Sequence, residues 1–198
     1  MKYLKLSVLI LVFVIALAVI YVIHSWYFNV DVVFYSAIAD GVLAAVLTLI
    51  VALTFKWFES FSVFEKLQTF VICLLLGYGI AISVPTVVDR SLSMYILEKL
   101  QQRGGGIQLA AFDAVFKDEY VKEHRLVDIR LTEQLQSGTI VIEDGCVKLT
   151  DWGRVVAQST TWFRQNLLPK NRLIGEGYSS DLTMPMRSGV ERQDYLCR

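Results

Sequence analysis

Asp40 has the most demanding surroundings of any ionisable residue in the sequence, since it falls within the first turns of the apolar stretch 34–58. An acid at that depth costs about 3 kcal/mol when it faces lipid, so it turns toward a partner or a cavity. Asp31, Asp89 and Arg90, with His24, belong to the same membrane face, because that face holds both the first loop and the exit of the last apolar run. Asp31, Asp40, Asp89 and Arg90 therefore form a polar cluster at the interface. One chemistry for such a cluster is recognition of a lipid-linked substrate. The plainer reading is structural: Asp40 pairs with Arg90 and holds the spans together, or snorkels to water.

Other candidates for chemistry fall away on spacing. A metal centre from His24, Asp31 and Asp40 lacks a helical i, i+4 ligand pair. His124 follows Glu123 and reads as a surface helix residue rather than a general base. Gly104, Gly105 and Gly106 have neither the preceding strand nor the following Lys-Ser/Thr of a phosphate cradle. Ser91-Leu92-Ser93 near Lys99 does not fit the S-x-x-K nucleophile pattern, and no nucleophile elbow or HExxH occurs. The sequence thus assigns no catalytic residue, no cofactor and no metal.

The elements that position the cluster are three apolar runs, at about 6–23, 34–58 and 68–88, each near the length that crosses a bilayer. The first reads as a retained anchor. Its Ala16-Leu17-Ala18 triplet resembles a cleavage site but sits in mid-run, with apolar residues following. Trp26, Tyr27 and Phe28 suit the headgroup level, and Gly77 and Gly79 offer close-packing points between helices. Lys2, Lys5, Lys56 and Lys66 fall on one membrane side, against Arg90, Lys99 and Arg103 on the other. The positive-inside rule then puts the N-terminus inside and the soluble region on the outer, periplasmic side of an inner membrane.

Apolar residues make up 55% of the 198, and the charges are unevenly placed: 15 of 19 basic and 15 of 19 acidic residues follow Val88. Both parts are neutral, which argues against a large nucleic-acid footprint or a polybasic lipid patch. Three cysteines make no disulfide framework; Cys146 and Cys197 allow at most one bridge in the soluble part, and Cys73 lies in a span.

Beyond Arg90 the spacing predicts helices at 91–102 (capped by Asp89 or Ser91, with Leu92, Ile96 and Leu100 or Tyr95 inward), at 109–120 and at 124–136. Asp144-Gly145 between 139–142 and 146–149 predicts a hairpin, and Thr150 caps a helix over 151–163. The final stretch, 166–198, lacks a period and reads as an irregular tail.

The phrase RLTEQLQSGTIVIEDGCVKLTDWG, with Ser137-Gly138-Thr139-Ile140 and then Leu149, Thr150 and Gly153, resembles the third helix and wing of bacterial winged helix-turn-helix regulators. The resemblance covers roughly 91–163 and implies that winged-helix fold. It would assign base contacts to exposed residues of the third helix, namely Arg125, Arg130, Glu133 and Gln134. The wing tip, however, is Glu143-Asp144, which works against phosphate contact. Winged helices also serve as protein-docking modules.

The expectation is a mainly α chain: three transmembrane helices over 1–90, a small α+β winged-helix-like domain over 91–165, and the tail. Its expected role is a non-enzymatic integral membrane accessory or scaffold protein. The domain would dock on a larger membrane protein, in cell-envelope glycan or lipid assembly, with membrane lipid around the spans and no nucleic-acid partner. The alternatives are a membrane-bound DNA-binding transcription regulator and a membrane enzyme acting on a lipid-linked substrate.

Overall fold

A computed structural model describes residues 2–183 and Pro185. The chain divides into two compact units, Met1–Leu126 and a second beginning at Val127.

The first unit opens with α1 (Lys2–Tyr27), α2 (Val33–Thr54) and α3 (Val63–Arg90), all long and apolar enough to cross a membrane. At 1.5 Å per residue each exceeds the roughly 30 Å hydrocarbon core. The helices overshoot the apolar runs because polar residues close them at the interfaces. Thus α3 starts a turn before its apolar run, on a capping box: Ser62 Oγ accepts from the Glu65 amide at 3.2 Å, and the Ser62 amide donates to Glu65 Oε2 at 2.7 Å. Conversely, α2 stops at Thr54, and Lys56–Phe58 forms a separate 3₁₀ turn. Pro85 interrupts α3 without breaking it. The backbone widens into a π-turn over Ile82–Thr86, and the Thr86 hydroxyl donates to the Ala81 carbonyl at 2.8 Å, supplying the bond that proline cannot make.

Packing follows a spacing of four. Leu9, Phe13 and Leu17 on α1 face small residues: Ala37, Gly41, Ala44, Ala45, Thr48 and Ala52 on α2, and Thr69, Cys73, Gly77 and Ala81 on α3. Small side chains let backbones approach where lipid supplies no hydrophobic drive for association. Closest is Gly41 against Gly77, where a Cβ on Gly77 would stand 3.1 Å from the Gly41 Cα and 3.4 Å from Phe13 Cζ. Gly77 is thus the packing point expected from the sequence. Gly79 faces open space.

Ser91 rather than Asp89 caps α4 (Leu92–Gln102), accepting from the Met94 amide at 3.3 Å. The helix buries Tyr95 and Lys99, whereas the expected inward residue Leu92 is exposed. Gly104 and Gly105, at φ +80° and +99°, turn the chain away. A 3₁₀ turn at Leu109–Ala111 leads into α5 (112–123), which carries a second widened turn at Val115–Tyr120.

In the second unit α6 (Leu126–Gln136) precedes β1 (Ile140–Glu143) and β2 (Cys146–Leu149), paired antiparallel with Ile140 opposite Leu149 and Glu143 opposite Cys146. Asp144 and Gly145 have φ of +52° and +74°, as the mirror-image hairpin turn requires. Then α7 (Asp151–Asn166) begins on Thr150, whose hydroxyl accepts from the Gly153 amide at 2.9 Å and donates to the Gly138 carbonyl at 2.8 Å. A Cβ on Gly153 would lie 1.9 Å from the Thr139 carbonyl oxygen. The L-T-x-x-G phrase is therefore a joint: threonine caps the helix, and glycine lets it lie against the strand entry.

The tail is not wholly irregular. β3 (Arg172–Ile174) and β4 (Gly177–Ser179) pair around Gly175 at φ +62°. Strands of three residues are too short to show alternation in sequence, so the pattern passes unnoticed. The rest of the expected tail beyond Thr183, Pro185 excepted, lies outside the described residues, as does Cys197. Cys146 itself is disulfide-bonded.

Three substitutions test these joints. Gly77→Ala is expected to cost about 1–3 kcal/mol in detergent unfolding, whereas Gly79→Ala is neutral or stabilises by up to about 1 kcal/mol. Gly153→Ala is expected to cost more than about 3 kcal/mol in chemical denaturation, because the obstructing atom is backbone.

Candidate functional site

Asp40 lies one turn below Ser36 on α2 and is 3% exposed. Its partner is His24, near the C-terminal end of α1: Nδ1 stands 2.6 Å from Oδ1. The expected pairing with Arg90 is corrected by this contact. Arg90 instead sits at the end of α3 with its guanidinium 5.8 Å from the Phe34 ring centroid and its Nε 4.0 Å from Asp89 Oδ2. Asp31 is exposed in the loop before α2. Alternation of the three spans puts His24, Asp31, Asp40, Asp89 and Arg90 at one end of the bundle. At the other end Lys2 pairs with Glu65 at 2.8 Å, and Lys5 donates to the Trp57 carbonyl and Ser60 hydroxyl at 2.6 and 2.8 Å.

The dyad has a third neighbour. Ser36 Oγ is 3.2 Å from His24 Nδ1 and 3.5 Å from Nε2. A serine nucleophile needs its base on the nitrogen opposite the orienting carboxylate. Ser36 instead crowds the nitrogen that Asp40 already holds, so the trio does not have triad geometry. Asp40 Oδ2 has no hydrogen-bond partner among the described residues. Asp40 helps line a groove of about 370 Å³, together with Ile20, Ile23, His24, Phe28, Ala39 and Leu43. Among the described residues no group of three metal-ligating side chains occurs.

A second polar cluster, unmarked in the sequence, joins α4 to α5. Lys99 is 5% exposed, and its Nζ contacts Glu119 Oε2 at 2.6 Å and both Glu123 oxygens at 3.0 Å. Arg103 holds Glu119 from the other side at 3.1 Å, and the Tyr95 hydroxyl donates to Glu123 at 3.2 Å. Tyr120 packs against Tyr95 with the rings tilted, centroids 4.6 Å apart, and His124 meets Tyr95 edge-on at 5.1 Å, so His124 is a packing residue. Hydrogen bonds that Lys99 donates to Glu119, then to Glu123, raise its pKa above the usual range despite burial. Lys99, then Arg103, lower that of Glu119, while burial, then Glu123, raises that of Tyr95. A lysine held this firmly as a cation is no nucleophile. Its role is to lock α5 onto α4, and only its burial, invisible in sequence, distinguishes it from a surface lysine.

The residues expected on a recognition helix are engaged locally. Arg130 pairs with Glu133 at 2.6 Å, and Gln134 accepts from the Thr139 hydroxyl. Arg125 precedes α6 at φ +45°. On the hairpin Lys148 pairs with Glu143 at 3.1 Å, leaving the tip acidic.

The Glu119 shift has a pH consequence. A depressed carboxylate contributes stability above its unfolded pKa, near 4.5, and loses it as pH falls through the folded value. The thermal stability of the wild type should therefore fall as pH drops below about 4.5, and Lys99→Met should flatten that dependence as well as lower Tm, read by circular dichroism across the acid range.

Comparison with protein-family models, curated proteins and solved structures gives no match to this chain. What stands is a chain with three helices long and apolar enough to cross a membrane, a buried acid–imidazole pair at one end of them, and a second unit of helices and two small hairpins.

Proposed function

We propose that the chain is a non-enzymatic membrane accessory protein that holds a winged-helix-like region, about 91–165, against a larger integral membrane protein. The observation that carries this reading is the apolar face of α7. Trp152 and Trp162 are each 58% exposed, and Val155 and Phe163 about half exposed. The hairpin adds Ile142, Val147 and Leu149, also exposed. Large aromatic residues presented together are the usual anchors of protein interfaces. A DNA reader would instead present free cations, and the acidic hairpin tip and the locally paired Arg130 argue against that.

The outer side of the membrane suits this role. Lys2, Lys5, Lys56 and Lys66 occupy the opposite end of the spans, and the disulfide at Cys146 belongs to an oxidising compartment. The winged-helix-like reading draws on the hairpin turn and on the Thr150–Gly153 joint, which give its signature residues one shared structural reason.

The test is purification of the full chain from its native membranes in mild detergent. The wild type is expected to bring one membrane protein at near-equal amount. Trp152→Ala with Trp162→Ala should reduce that recovery by about tenfold or more while the chain still inserts. Recovery of the chain alone, or equal recovery by both forms, contradicts the proposal.

A further inference from the structure

The groove beside Asp40 is unusual in holding an acceptor that no described residue satisfies. Asp40 is more than nine-tenths buried, its Oδ1 is taken by His24, and its Oδ2 has no partner among the described residues. In water such an oxygen would be solvated. Here it lies seven residues into α2, roughly 10 Å along the helix from its start, where water is scarce. The other walls, Ile20, Ile23, Phe28 and Leu43, offer no donor.

We propose that this groove receives a transmembrane helix of the partner protein carrying a lysine or arginine, whose cation is bonded by Asp40 Oδ2. The proposal rests on the docking reading above and names its intramembrane half. Charge selects the occupant. Asp40 brings a carboxyl group to otherwise apolar walls, and a cation at that depth is stabilised only by an acidic counter-group. The groove is lined by residues of α1 and α2 and by Phe28, and its apolar walls match a helix flank. A bare metal ion finds too few ligands. A second copy of this chain is a poor fit, because Lys2, Lys5, Lys56 and Lys66 lie at the far end of the spans and Arg90 rests on Phe34 of its own chain.

His24 acts as a positioning residue. Its bond fixes the carboxylate so that Oδ2, rather than Oδ1, is left to the occupant. The edge-on contact of its ring with Phe28, at a centroid distance of 5.6 Å, holds the imidazole in place.

The test uses the full chain in phosphatidylcholine vesicles with a synthetic leucine–alanine transmembrane peptide as the probe. The peptide carries one lysine about seven residues from one end, or norleucine at that place, and binding is read by energy transfer between labels. The lysine peptide is expected to bind the wild type about tenfold more tightly than the norleucine peptide. Asp40→Asn should abolish that preference. Leu43→Trp, which fills the groove but keeps the carboxylate, should abolish binding of the lysine peptide. Equal binding of the two peptides, a preference that survives Asp40→Asn, or energy transfer between two copies of the chain in place of peptide binding would each overturn the proposal. If the peptides fail while Trp-dependent co-purification succeeds, this inference falls alone. If the peptides bind and co-purification fails, the docking reading falls and the groove stands.

Discussion

A carboxylate sunk among apolar helices has to be bonded, and much of the membrane half of this chain is arranged so that Asp40 is. The close crossing at Gly41 and Gly77 draws α2 against α3. Gly41 adjoins Asp40 in sequence, so the tightest backbone contact and the buried acid are neighbours. α1 lies antiparallel to α2 and brings His24 to within 2.6 Å of it. A looser bundle would admit lipid beside the acid, at a cost of about 3 kcal/mol. The four-residue spacing of small residues is therefore the condition under which a charged side chain is tolerable there.

The second unit solves a different problem with equally local means. It has few buried residues, so its form depends on backbone joints rather than on a core. Thr150 bonds both the start of α7 and the Gly138 carbonyl, and Gly153 admits the Thr139 carbonyl where any side chain would collide. What such an element lacks in burial it leaves exposed as Trp152, Trp162 and Phe163. In the first unit α4 and α5 are fastened differently, by Lys99 between two glutamates.

Much of this was legible beforehand, for physical reasons. Hydrophobic length announces a span whatever its neighbours, and Asp144-Gly145 announces a hairpin because few other pairs adopt positive φ twice. Asp40 could be placed at the right face but not given its partner. Depth follows from counting residues, whereas the choice between His24 and Arg90 depends on how the helices are rotated. Gly77 was readable as a contact point; that Gly79 faces open space was not, since both glycines look alike until the crossing is known. Lys99 was hidden because a lysine on an amphipathic helix reads as solvated, and the three-residue strands at 172–179 because alternation needs greater length.

The account comes down to a membrane anchor that presents a protein-docking unit outside the cytoplasm, and the most direct measurement of it is the side on which the C-terminus lies. Alkaline phosphatase and a fluorescent protein, fused in turn to the C-terminus of the full chain, report opposite compartments. The account predicts active phosphatase and no fluorescence. Bright fluorescence with inactive phosphatase would place the unit in the cytoplasm, contradict the account and restore a reader of DNA as the leading alternative.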